Sequence, residues 1–159
     1  MRGSVWDHLH GRPPAPPARA ANADVNRNVD VDVIWHDPHD ALPARDAALE
    51  AVLRQRDGTL AWSVKNQARM HARNGDAPYA SATEAMRHWP ETATAVGVRL
   101  DAQGGVDIAA PFGLDDLFDL VVRPTPRFTT DKSPLYLERL RAKDWRTTWP
   151  RLTFAAPAM

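Results

Sequence analysis

Val-Asp-Val-Asp-Val-Ile-Trp, residues 29–35, decides how the rest of the chain is read. Val29, Val31, Val33 and Trp35 alternate with Asp30, Asp32 and Ile34, and a period of two marks a strand with unlike faces. Both aspartates then project to one side, their Cα atoms about 6.8 Å apart at a rise of about 3.4 Å per residue. Carboxylates so placed can converge on a divalent cation. Mg²⁺ suits them, because it takes one or two protein carboxylates and completes its octahedron with water and substrate phosphates. A pair of such ions about 3.5–4 Å apart steadies the attacking and leaving oxygens of an in-line phosphoryl or nucleotidyl transfer. The plainer alternative is a strand whose polar side faces solvent.

Upstream, residues 5–10 read as the last turns of a helix ended by Gly11, and the four prolines of residues 12–19 make an extended loop. Downstream, residues 43–56 read as a helix, with proline near the start and Ala44, Ala47, Ala48 and Ala51 in a small-residue row. A strand is expected over 60–64, then a short polar helix or turn over 66–73 closed by Asn74-Gly75. Ser81 and Glu84 form a capping box for a helix running to about Trp89 and stopped by Pro90. Residues 96–100 and 106–110 flank a glycine-bearing turn and predict a hairpin. A helix over 113–120, a strand over 120–123 and a closing helix over 134–149 complete the pattern. The hairpin argues against a purely parallel sheet, so the class is α+β (mixed α/β): one domain over 1–159, with a mixed sheet and flanking helices.

Composition narrows the function classes. The chain has 159 residues, 20 basic and 20 acidic, for a formal charge of zero. Nothing in that balance draws it to nucleic acid or an anionic membrane. It has no cysteine, which excludes disulfides, thiolate metal sites and cysteine nucleophiles. A mean hydropathy of -0.47 and the lack of a long apolar run predict a soluble, cytoplasmic chain with no membrane partner. The six histidines show no metal-ligand spacing, and no Walker-type loop or nucleophile elbow is present.

Further stretches recur in a known order: VWDHLHG (5–11), VDVDVIWHD (29–37), VKNQARMH (64–71), YASATEAMRHWPETATAVGVRL (79–100), APFGLDDLF (110–118), VRPTP (122–126) and WPRL (149–152). Together they resemble the bacterial nucleotidyltransferase-like family once classed as a domain of unknown function, a remote branch of the polymerase-β-type nucleotidyltransferase superfamily. The resemblance implies a minimal nucleotidyltransferase fold. In it, Asp30 and Asp32 match the paired catalytic and metal-binding aspartates, with Mg²⁺ or Mn²⁺ as cofactor and a nucleoside triphosphate as donor to an unknown acceptor hydroxyl. The family's glycine-rich phosphate turn has no match. Its place lies just upstream of Arg2, so a first strand and glycine turn are expected before Met1. The third carboxylate that the superfamily tends to place on the strand after the intervening helix is also unmatched there, leaving Asp107 on the hairpin as a substitute metal ligand.

Asn66 and Arg69, after that strand, are candidate nucleotide contacts, Arg69 through bidentate binding of a phosphate. The alternative is a polar helix capped by Asn66, with Arg69 paired to an aspartate. Asp115 and Asp116 suit a helix's first turn, and Asp37 suits a strand end. Arg139, Arg141, Lys143, Arg146 and Arg151 with Trp145 and Trp149 suit either base stacking or, better, a solvated face with tryptophans packed on the sheet. The whole supports a metal-dependent nucleotidyltransferase. The competing reading is a catalytically inactive module of the same fold that binds a nucleotide or protein.

Overall fold

The computed structural model describes residues 2–14 and 31–156. They fall into two compact units, one comprising residues 16–85 and the other residues 1–15 with 86–159.

In the 16–85 unit, strand β1 (Val31–Trp35) pairs in parallel with β2 (Trp62–Asn66), Asp32 opposite Ser63 and Trp35 opposite Asn66. Parallel strands need a crossover, and helix α2 (Pro43–Arg56) supplies it. Its bounds are those the proline and small-residue pattern predicts. Strand β2 starts two residues later than expected. Asp57 explains the delay: its carboxylate accepts from the Thr59 N–H (2.9 Å) and hydroxyl (2.6 Å), so the chain is still turning there. After β2 come a 3₁₀ turn (Gln67–Arg69) and helix α3 (Met70–Asn74), ended by Gly75 at φ 69. Helix α4 (Ala82–Met86) carries half of the expected box: Ser81 Oγ accepts from the Glu84 N–H (3.0 Å), while the Glu84 carboxylate accepts from the Ala80 N–H, one residue before the cap. It stops short of Trp89, whose N–H turns back to the Met86 carbonyl.

In the other unit, helix α1 (Arg2–Leu9) ends at Gly11, φ 68. Strands β3 (Gly97–Leu100) and β4 (Val106–Ala109) form the antiparallel hairpin, whose turn is held by Asp101 accepting from the N–H groups of Gln103 and Gly105. Helix α5 is only Asp115–Phe118, because Gly113 (φ 77) and Leu120 (φ 59) lie in the left-handed region on either side. Strand β5 (Val121–Val122) pairs in parallel with β6 (Thr153–Phe154). The expected closing helix is two, α6 (Ser133–Lys143) and α7 (Trp145–Thr148), broken at Asp144. Asp144 sits at φ 42 and its carboxylate accepts the Thr147 hydroxyl (2.8 Å). The break turns Trp145 inward. Trp6, fully buried, meets Trp145 and Trp149 edge to face with ring centroids 5.6 and 5.1 Å apart, over Leu117, Val122 and Leu152. The tryptophans thus pack on α1 as well as on the strands, and burial of each large apolar side chain contributes about 1.5–3 kcal/mol.

Among the described residues parallel and antiparallel pairings are both present, in three two-stranded sheets rather than one. Among the described residues no helix is long and apolar enough to cross a membrane.

Candidate functional site

Side chains of registered pairs in a parallel sheet share a face, and the face alternates along each strand. Val31, Val33 and Trp35 therefore lie with Trp62, Val64 and Asn66 on one side of the β1–β2 sheet. Asp32 and Ile34 lie with Ser63 and Lys65 on the other. Helix α2 covers the first side, where Val64 is 1 % exposed and Trp35 donates its indole N–H to Asp46 (2.8 Å). Asp32, on the second side, is exposed. Val29 and Asp30 lie outside the described residues. A carboxylate, a hydroxyl and an ammonium group thus share one face, on which Asp32 is exposed while Ser63 and Lys65 are half-buried and Lys65 Nζ donates to the Val64 carbonyl (3.1 Å). Sequence reasoning did not single out Ser63 or Lys65. The alternation within 62–66 puts them on one face, but only the pairing register makes it the face of Asp32.

Among the described residues no group of three or more His, Asp or Glu side chains is placed to hold a metal ion. A Mg²⁺ ion does not need one, since it keeps waters and binds through one or two carboxylates plus substrate phosphates. An accessible strand carboxylate such as Asp32 fits that donor set. Ser63 and Lys65 occupy the strand on which the resemblance leads one to look for a third carboxylate.

The covered side of the same sheet holds the other candidates. Asp46 in the first turn of α2 is buried, and its carboxylate accepts from the Asn66 N–H (2.9 and 3.1 Å), the Trp35 indole and the Arg69 guanidinium. Burial alone pushes the Asp46 carboxyl up, but the Asn66 N–H, Trp35 and Arg69 outweigh it and hold it below its ordinary value of 3.8. Asn66 is fully buried. Its amide donates to the carbonyls of Asp37 (2.8 Å) and Asp40 (3.0 Å), while its oxygen accepts from the N–H groups of Ala68 (2.9 Å) and Asp37 (3.2 Å). These bonds use the full capacity of the amide. Asn66 thus caps the 3₁₀ turn and Arg69 pairs with an aspartate, the second of the two readings the sequence allows.

The remaining candidates are dispersed. Asp107, on β4 in the other unit, pairs with Arg99 across the hairpin (2.9 Å). Asp37 accepts from the His39 N–H (2.8 Å) where the chain leaves β1. Asp116 accepts from Thr92 (2.6 Å) and Arg123 (2.9 Å). Burial pushes its carboxyl up, but Arg123 and Thr92 hold it below the ordinary value. Arg139 of the basic helix donates to the fully buried Glu91 (2.6 Å), which also accepts from the Thr94 hydroxyl (2.7 Å). Asp116 and Glu91 tie that unit's loops together.

The sequence pattern of a family described as nucleotidyltransferase matches residues 1–154. A solved structure, described as an NMR structure that reveals a CCA-adding enzyme head domain, superposes with a TM-score of 0.80 at 34% sequence identity. The match covers 98% of this chain and 77% of that one. No curated protein matches. A family match over nearly the full length, together with an α+β nucleotidyltransferase-like fold shared at this identity, has one reading: the chain belongs to the nucleotidyltransferase family.

Proposed function

We propose that the protein transfers a nucleotidyl group from a nucleoside triphosphate to an acceptor hydroxyl, with Asp30 and Asp32 holding Mg²⁺ or Mn²⁺. The observation that carries this is the face of the β1–β2 sheet on which the exposed Asp32 carboxylate stands opposite Ser63 and two pairs along the register from Lys65. Family membership and the CCA-adding head-domain neighbour support the reaction type. When bound, the metal neutralises phosphate charge and polarises the phosphorus–oxygen bonds. Lys65 supplies a compact positive charge for the triphosphate on that face, a role an ammonium group fills well. The acceptor oxygen bonds to the α-phosphorus, the α–β bridging bond breaks, pyrophosphate leaves, and the hydroxyl proton passes to solvent. Asn66, Asp46 and Arg69 act from the covered side by holding the ends of β1 and β2 in register.

A second reading has its own observation. Ser63 and Lys65, not a carboxylate, face Asp32, which suits a module that binds a nucleotide without turnover. The test is thermal unfolding with Mg²⁺ and a nucleoside triphosphate, followed by analysis for pyrophosphate. A raised midpoint that is lost in Asp30→Asn with Asp32→Asn, and reduced in Lys65→Met, supports the site. The same rise in the double variant refutes it. A rise without pyrophosphate in the presence of acceptors favours the second reading.

A further inference from the structure

The aspartate face accounts for only part of the sequence pattern. The motifs over 79–100, 110–118 and 122–126 lie wholly or mostly in the other unit, and within it they meet. Arg87 and His88 follow α4, Phe112 precedes α5, and Pro126 and Arg127 open the 3₁₀ turn Pro126–Phe128. With Thr130, these residues line an open cleft of about 400 Å³. The Arg87 guanidinium carbon lies 5.8 Å from the centre of the Phe112 ring. Arg127 pairs with Asp131, which lies 3.4 Å away and is largely exposed. A chain with no net charge thus lines one cleft with two arginines, a histidine and a phenylalanine.

Guanidinium forks match phosphate oxygens bidentately, and a flat ring beside them offers a stacking surface for a base. An open cleft lets a strand pass through where an enclosed one admits only a small molecule. We infer that this cleft binds the acceptor, a single-stranded nucleic acid, through a backbone phosphate held by Arg87 and Arg127 and a base resting on Phe112. The inference rests on the proposed nucleotidyl transfer and names its acceptor class. It also explains how a neutral chain would meet a polyanion: the positive charge is local.

The test is fluorescence anisotropy of the full chain with a short fluorescein-labelled oligoadenylate over a range of salt concentrations, without triphosphate. Each phosphate neutralised on a single strand contributes about 0.7 to the slope of log affinity against log salt. Arg87→Gln with Arg127→Gln should lower that slope by about 0.7 and weaken binding at least about tenfold at moderate salt. Thr130→Glu, which leaves both arginines in place and adds a negative charge at an exposed position, should weaken binding as well. The rise in thermal midpoint with Mg²⁺ and ATP should be unchanged in all of these, and Asp30→Asn with Asp32→Asn should bind the oligonucleotide normally. That last comparison separates failure of the cleft from failure of the metal site. Unchanged affinity and slope in both cleft variants overturns the inference, as does absence of binding by the wild-type chain at low salt. Loss of the ATP effect with unchanged oligonucleotide binding overturns it too, by assigning the cleft to the donor.

Discussion

Replacing Asp46 by alanine removes the acceptor on which the covered end of the β1–β2 sheet converges. Three donors lose their partner: the Asn66 N–H, the Trp35 indole and the Arg69 guanidinium. The first belongs to a fully buried residue and costs about 1–1.5 kcal/mol when unsatisfied, and the indole costs a similar amount. Arg69 is 27% exposed and turns partly to water, so its share is about 1 kcal/mol. The sum, about 3–4 kcal/mol, sits at the low end of what breaking a buried pair costs. For a chain of this length that is a fall in Tm of about 10 °C. Asp46→Asn keeps an acceptor but loses the charge, and should cost about half as much. The assay is urea unfolding followed by circular dichroism, with Arg69→Met and the double variant completing a cycle whose coupling should be about 1–2 kcal/mol. A cost below about 1 kcal/mol for Asp46→Ala refutes the reasoning. So does an Arg69→Met variant of normal stability that loses nucleotide binding, for Arg69 would then be the phosphate ligand the sequence also allows.

Glu91→Ala should destabilise by about 3 kcal/mol in the same assay, because it strips Arg139 and Thr94 of a fully buried partner, while Glu91→Gln should cost clearly less. Acid unfolding carries a further signature. Asp46 and Asp116 are both held below 3.8 in the folded protein, so the unfolded chain binds their protons first on acidification. Their contribution is fully present above 3.8 and is lost as pH falls through the lowered values. Stability measured from about pH 5 downward should therefore fall less steeply in Asp46→Asn than in the wild type; an identical slope would show that Asp46 is not so held.

Much of this arrangement was legible in the sequence because short-range chemistry fixes it. Pro43 and the alanine row set α2, Ser81 and Glu84 set the start of α4, and Gly11, Gly75 and the turn glycine Gly104 mark chain reversals at positive φ. Asn66 as a cap and Arg69 as half of an ion pair were one of two readings that their place after a strand allows, and the partner that distinguishes them, Asp46, lies 20 and more residues away. What was not legible depends on distant partners. Nothing local shows that Asp144 adopts a left-handed conformation and splits the closing helix, since such residues are usually glycine or asparagine. Two-residue strands such as β6 carry no period. Asp46 reads as an ordinary first-turn acid until β2 is laid beside β1, and the same pairing brings Ser63 and Lys65 to the face of Asp32. The convergence of Arg87, Phe112 and Arg127 is likewise a product of tertiary folding.

Nucleotidyl transfer at the Asp32 face can be read by incubating the protein with α-labelled nucleoside triphosphates, Mg²⁺ and a mixture of RNA, protein and small hydroxyl acceptors. Metal-dependent transfer of label with release of pyrophosphate is expected. Asp32→Asn should reduce it at least about a hundredfold, equivalent to about 2.7 kcal/mol of lost transition-state stabilisation, while remaining folded. Label transfer at the wild-type rate by folded Asp32→Asn would contradict transfer at that face.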